Sequence, residues 1–268
     1  MSTLAETVSD SVVITRRNLI KVKRVPDLIV AATLSPIMFV VLFRYVFGGA
    51  IELPDGITYA EFLLPGIFAQ TVVFGSTITG ASIADDMQKG LIDRFRSLPM
   101  SRSAVLIGRT VADLGLNAIS IAVMAVTGLV VGWRINSSIA EAVGGFLILL
   151  VFAYAISWMM AMVGLLVRTP EVVNNASFIV IFPLTFIANT FVPLESFPTV
   201  LRRFAEWNPV STVTQAAREL FGNIPASAPE PAAWSLQNPV IYTLLWAVAI
   251  LVVFVPLSVR AYLRTSSR

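Results

Sequence analysis

The sequence predicts an all-α integral membrane protein. It should have six transmembrane helices, both termini in the cytoplasm, an amphipathic N-terminal interfacial helix, and short external helices between spans five and six. Three observations predict this. Of the 268 residues, 56% are hydrophobic and only 13% charged, against about 25% charged residues in a soluble domain. Several apolar stretches reach the roughly 17–25 residues that cross a bilayer. The basic residues also gather in alternate connecting segments, as the positive-inside rule requires. A mean hydropathy of +0.81 is the same statement at the level of the whole chain.

The elements follow in order. Residues 1–15 carry acids and no early positive charge, and the first apolar run starts near residue 28, so no cleaved signal peptide is expected. Residues 1–26 read as a cytoplasmic tail. Within it, Ser11 to Val25 mixes Val12, Val13, Leu19, Ile20 and Val22 with Arg16, Arg17, Lys21, Lys23 and Arg24. Such a segment forms a helix lying on anionic lipid; a topology-setting basic tail is the other reading. Pro26 interrupts it. Spans are expected at 28–47, 62–84, 104–133, 142–167, 172–192 and 239–259, with Arg44 able to snorkel from the first. Segment 85–103 is a cytoplasmic loop.

Segment 193–238 is too long for a turn. Pro198 opens a short helix through Trp207. Asn208-Pro209 reads as an N-cap followed by Pro at the first helical position, opening a second helix to Phe221, and Gly222 suits the position after its end. These helices dip into the outer leaflet or form a structured external loop.

Fourteen basic residues fall on one side of this arrangement, among them Lys89, Arg94, Arg96, Arg102, Arg109, Arg168, Arg260, Arg264 and Arg268. Five fall on the other: Arg44, Arg134, Arg202, Arg203 and Arg218. The first side is the cytoplasm, and an even number of spans returns both ends to it.

The chain has no Cys and no His, which removes thiolate nucleophiles, imidazole bases and zinc sites of the usual ligands. It has no G-x-x-x-x-G-K-[ST] phosphate loop, so no cofactor is expected on this chain, and any ATP and Mg belong to a partner. A net charge of +3 does not point to nucleic acid. No array-length repeat is visible, nor an inverted repeat of the secondary-transporter kind.

The loop after span two is the most informative segment. It reads Asp85-Asp86-Met87-Gln88-Lys89-Gly90-Leu91-Ile92-Asp93-Arg94-Phe95-Arg96-Ser97-Leu98-Pro99-Met100-Ser101-Arg102. Leu91, Phe95 and Leu98 share a helical face with Arg94 and Arg96 elsewhere, and Pro99 stops the helix. A short helix of this kind docks into a partner's groove or rests on lipid. The segment resembles the corresponding loop of ABC-2-type exporter permeases, especially the daunorubicin/doxorubicin-resistance permeases. There an acidic residue closes span two, then a Gly, a Leu-x-x-x-Pro-like element and a Ser-Arg pair follow. Asp85 or Asp86 stands where the family commonly has Glu. Asn189-Thr190-Phe191-Val192-Pro193-Leu194, Phe197-Pro198, Asn208-Pro209 and Arg218 are similar to that family's exit from span five and its external helices.

The resemblance implies a bacterial inner-membrane permease. It would work as a homodimer or a heterodimer with a second permease, with two copies of a separate ABC ATPase that binds ATP and Mg. Residues 86–102 would be the ATPase-coupling loop, carried by Asp86, Gly90, Leu91, Arg94, Phe95, Arg96, Leu98, Pro99 and Arg102.

Inside the membrane, Arg109, Asp113 and Asn117 share one face of span three. They line a cytoplasmic gate or form a structural ion pair. Span two holds Gln70, Thr71, Ser76, Thr77 and Thr79, with Gly66, Gly75 and Gly80 allowing close helix approach. Phe39, Phe43, Phe47, Phe68, Phe74, Phe178, Phe182 and Phe186 offer aromatic surface to a lipophilic substrate or to lipid. The function expected is an ATP-driven exporter of amphipathic drugs, secondary metabolites or lipids. Export of lipid-linked polysaccharide is the alternative. An ion-coupled transporter would need charges near the bilayer midplane, and an intramembrane enzyme would need buried acid pairs or an in-span Lys; neither pattern is present.

Overall fold

The computed structural model describes residues 4–24, 26–48, 57–96, 100–101, 103–167, 169–225 and 227–264. Leu98, Pro99, Arg102, Arg168 and Arg268 lie outside the described residues, as do the side chains of Asp93 and Arg96. Among the described residues every regular element is helical. The helices are α1 (Leu4–Arg24), α2 (Pro26–Leu42, continued as a π-helical turn, Phe43–Phe47), α3 (Tyr59–Gln88), α4 (Leu91–Arg96), α5 (Ala104–Val131) and α6 (Ile139–Leu166). They are followed by α7 (Pro170–Phe186), α8 (Thr199–Trp207), α9 (Pro209–Leu220), α10 (Trp234–Gln237) and α11 (Pro239–Arg264). Four of them, α3, α5, α6 and α11, are long and apolar enough to cross a membrane; the apolar stretches Thr33–Val46 and Pro170–Phe186 are shorter.

Local chemistry sets the helix starts. Thr58 and Glu61 form a reciprocal capping box at α3, as do Ser138 and Glu141 at α6, each satisfying donors that the first turn leaves free. Thr169 caps α7 with Pro170 at its first position, where the missing N–H costs nothing.

Helix α3 is the centre of the bundle, packed by α6, α5, α7 and α9. It crosses α6 with almost nothing between the backbones: a Cβ on Gly164 would run into the Gly80 carbonyl, and one on Gly80 would lie 2.6 Å from the Met160 carbonyl oxygen. Small residues at such a crossing let helices associate through close van der Waals contact where lipid supplies no hydrophobic drive. Ser76 Oγ, on the same helix, lies 3.1 Å from the Ala153 carbonyl it donates to. Helix α11 closes the far side against α6, and α1 lies along α5.

The N-terminal and fifth apolar helices differ most from their sequence expectations in extent. The N-terminal helix begins at Leu4 rather than Ser11, and its first turns bond through Thr7 and Asp10 to Ser101, just ahead of α5. The fifth apolar helix stops at Phe186, short of residue 192. The chain after it turns beneath α9, where its backbone finds other partners: Asn189 N donates to Ser211 Oγ at 3.3 Å. Irregular backbone inside a membrane protein survives where protein groups satisfy it in this way.

Candidate functional site

Two regions concentrate polar chemistry, one at each end of α3. At its C-terminal end, Lys89 donates to Asp85 across 2.7 Å, and that carboxylate holds the Lys89 ammonium above its ordinary value. Gly90 then takes a left-handed φ of +65°, which a residue with a Cβ adopts only with strain. This turn launches α4. Ile92, which sequence reasoning left out, is buried at 6% exposure among Ile83, Leu106 and Tyr262. Phe95 packs half-buried against the same cluster, with the Arg17 guanidinium 4.9 Å from its ring centroid. Leu91 is half-buried and Arg94 exposed. The six-residue helix is therefore anchored by Ile92 and Phe95 and presents Arg94 outward.

Asp86, Phe95 and Arg109 line one small crevice with Arg17 and Asn18 of α1, so the structure joins part of the loop set to part of the span-three set. Arg109 Nε meets Asp113 Oδ2 at 2.9 Å, both side chains nearly buried. Asn117, two turns on from Arg109, donates to the Asp113 carbonyl at 3.1 Å and packs against Gly75 of α3, where any Cβ would collide with its Oδ1. The triad thus ties α5 to α3 at Asn117 and opens to the crevice at Arg109.

At the other end, α9 wedges between α3, α6, α7 and α11 and is buried on nearly all sides. Asn208 caps it, its Oδ1 accepting from Val210 N at 2.9 Å while its Nδ2 donates to the Leu184 carbonyl at 2.7 Å. Pro209 occupies the first position, and Pro193 and Pro198 flank the turn that leads to α8. Arg218 is 3% exposed. Its guanidinium donates to the carbonyls of Phe62 (2.9 Å), Asn189 (2.6 Å) and Thr190 (3.4 Å) and lies 3.7 Å from the Phe62 ring centroid. A planar five-donor fork is the side chain that meets several carbonyls and a ring face together. The α5–α6 connection is sewn to the end of α9: Trp133 Nε1 donates to Asn223 Oδ1 at 2.7 Å, and Asn136 N to the Phe221 carbonyl at 2.9 Å.

Along α7, the rings of Phe178, Phe182 and Phe186 follow one another at 4.9 and 4.1 Å. Phe74 of α3 joins at one end, and Phe191, Phe43 and Phe39 at the other. Among the described residues no group of acids, His or Cys could hold a metal ion.

Among the described residues the chain is an all-helical bundle with four helices long and apolar enough to cross a membrane. The chain belongs to the ABC-2 type transporter family, whose model matches residues 11–221. It is 35% identical over 204 residues to the daunorubicin resistance ABC transporter permease of Streptomyces coeruleorubidus, covering 76% of this chain and 72% of that protein. It is 26% identical over 240 residues to a probable doxorubicin resistance ABC transporter permease of Mycobacterium tuberculosis (strain CDC 1551 / Oshkosh), covering 89% and 83%. A second doxorubicin resistance ABC transporter permease of that organism is 25% identical over 229 residues, covering 82% of this chain and 77% of the relative. The protein is thus an ABC transporter permease related to drug-resistance exporters.

Proposed function

We propose that this permease is the membrane half of an ATP-driven exporter that moves lipophilic or amphipathic compounds, drugs or lipids among them, out of the cytoplasm or inner leaflet. In this reading two permease copies pair with two copies of a separate ATPase. The six apolar stretches span the bacterial cell membrane with both ends in the cytoplasm, and the loop carrying α4 receives the ATPase. The relatedness to a daunorubicin resistance permease over about three quarters of the chain is the observation that carries it. Two features support it. The short α4 is braced from behind by Ile92 and Phe95, so a push on its outer surface reaches the bundle. The contiguous Phe rings along α7 offer stacking surface to flat apolar substrates.

ATP supplies the energy through contacts that differ between two states of the permease. The test is purification from the native membrane in mild detergent, with every stoichiometric partner identified, followed by reconstitution in vesicles. A nucleotide-binding ATPase that co-purifies, and ATP-dependent movement of a daunorubicin-like compound, are expected. A chain that comes out alone and transports without ATP would overturn the proposal.

A further inference from the structure

Helix α2 ends in a turn that is not α-helical. At Phe43 it passes into a π-helical turn, Phe43–Phe47, a geometry that recurs at functional sites. Two contacts fix the turn. Phe43 stacks on Phe191, beyond the end of α7, with ring centroids 4.4 Å apart. Gly48 leaves room for it: a Cβ there would run into the Arg44 carbonyl oxygen and lie 3.1 Å from Arg44 Nη1.

Arg44 is half-buried, and its Nε is buried without a hydrogen-bond partner. Arginine keeps its charge in a protein, so an anion is the group that its unmatched donors fit. Val40, one turn earlier, is fully buried while Val41 is exposed, so Arg44 stands at the edge of the packed face. Leu34, Met38 and Val41 are exposed and share one side of the helix by their spacing. The stripe runs along the span with a cation at its end, which is the outline of an amphiphile with an anionic head. At 1.5 Å per residue Arg44 lies about 27 Å along the helix from Pro26, against about 30 Å of hydrocarbon, and so reaches the depth of the lipid phosphates. Tyr45 beside it is exposed, as aromatic residues at the membrane–water interface are.

We propose that Arg44 and this stripe bind an amphiphile with an anionic phosphate head, the phosphate on the guanidinium and an acyl chain along Leu34, Met38 and Val41. The proposal rests on the reading that puts the end of α2 at the outer leaflet. Charge complementarity sets the occupant. Any lipid can cover the stripe, but only a phosphate that its own ammonium does not neutralise also meets the guanidinium in full, as a bidentate partner.

The test is native mass spectrometry of the detergent-released permease–ATPase complex, titrated with phosphatidylglycerol or with phosphatidylcholine of the same acyl chains. Phosphatidylglycerol is expected to bind the unsubstituted complex about tenfold more tightly. Arg44→Met, an apolar replacement within a span, is expected to remove that preference. Arg44→Lys, which keeps the charge without the fork, should retain part of it. Arg16→Gln, on an exposed position of α1, should leave it unchanged. Equal affinity for the two lipids overturns the proposal, as does a preference that survives Arg44→Met or disappears in Arg16→Gln. If Arg44→Met does not fold, an undiminished preference in Arg44→Lys overturns it. The chain has no cysteine, so disulfide-linked permease pairs formed by Met38→Cys with copper phenanthroline would put a second copy on the stripe and overturn it too.

Transport then separates two sources of the ligand. ATP-dependent movement of a fluorescent phosphatidylglycerol that falls in Arg44→Met marks a site for a transported amphiphile. A binding preference lost in Arg44→Met with no such change in transport marks a site for a resident membrane lipid. Either result keeps the site. The binding is measured without ATP, so a failure of the exporter reading leaves this test standing.

Discussion

Arg109 and Arg218 are both buried, and their guanidinium groups are satisfied in different ways. Arg109 has a carboxylate partner one turn away on its own helix. Arg218 has three carbonyl oxygens and an aromatic face. Removing one member of a buried ion pair strands the other, at a cost of about 3–5 kcal/mol, whereas replacing both with apolar groups is often neutral. Asp113→Asn is therefore expected to lower the melting temperature of the detergent-solubilised permease sharply, and Arg109→Met, Asp113→Leu to restore it. If the restored double variant also exports, the pair is structural; if it is stable and inactive, the pair belongs to the gate.

Arg218→Leu leaves its carbonyls without a donor and is expected to cost about 2–4 kcal/mol. Arg218→Lys should recover only part of this, since an ammonium lacks the fork. A melting curve unchanged in Arg218→Leu would refute the pinning role. The first pair was legible in the sequence, because residues four apart on a helix share a face. The surroundings of Arg218 were not, because its acceptors lie 156 and 29 positions away and no local pattern reports them.

At the scale of elements, α4 shows where periodicity stops being informative. Leu91, Phe95 and Leu98 form an apolar ridge on paper, but a six-residue helix has too few turns for its own pattern to choose an inward face. The burial of Ile92 in the cluster that also holds Ile83 and Leu106 makes that choice. Helix starts were more legible, since Asn208-Pro209 states its cap in two residues. The end of α7 was not, because Asn189 and Thr190 are drawn out of the apolar run by Ser211 and Arg218, which come later in the chain.

Two predictions belong at this scale. Gly90 has open space around it, so its constraint is conformational alone. Gly90→Asn should be tolerated, and Gly90→Val should cost about 1–2 kcal/mol and depress export; equal export by the two variants would refute the requirement for a left-handed turn. Leu91→Asp is expected to leave the permease folded and in the membrane while uncoupling export from ATP hydrolysis. Normal export by a well-expressed Leu91→Asp variant would remove α4 from the coupling role.

At the scale of the molecule, the asymmetry of basic residues makes a topological prediction. A reporter fused after Arg268 should be cytoplasmic, and one inserted at Ser227 external; the opposite pattern would invert the assignment. The composition was sufficient for the class of protein, because the bilayer imposes length and charge rules that are read directly from the chain. It was not sufficient for the packing order around α3, which depends on a few small residues meeting across helices.

The place where Gly80 and Gly164 meet also has a mechanical meaning. The crossing divides α3 unequally, leaving about 12 Å of helix toward α4 and about 32 Å toward α9 at 1.5 Å per residue. Were α3 to turn as a stiff rod about that point, it would act as a lever with its short arm beside the loop. Each ångström of travel there would then become roughly 2.5 Å at the opposite tip, near where the Phe62 carbonyl meets Arg218.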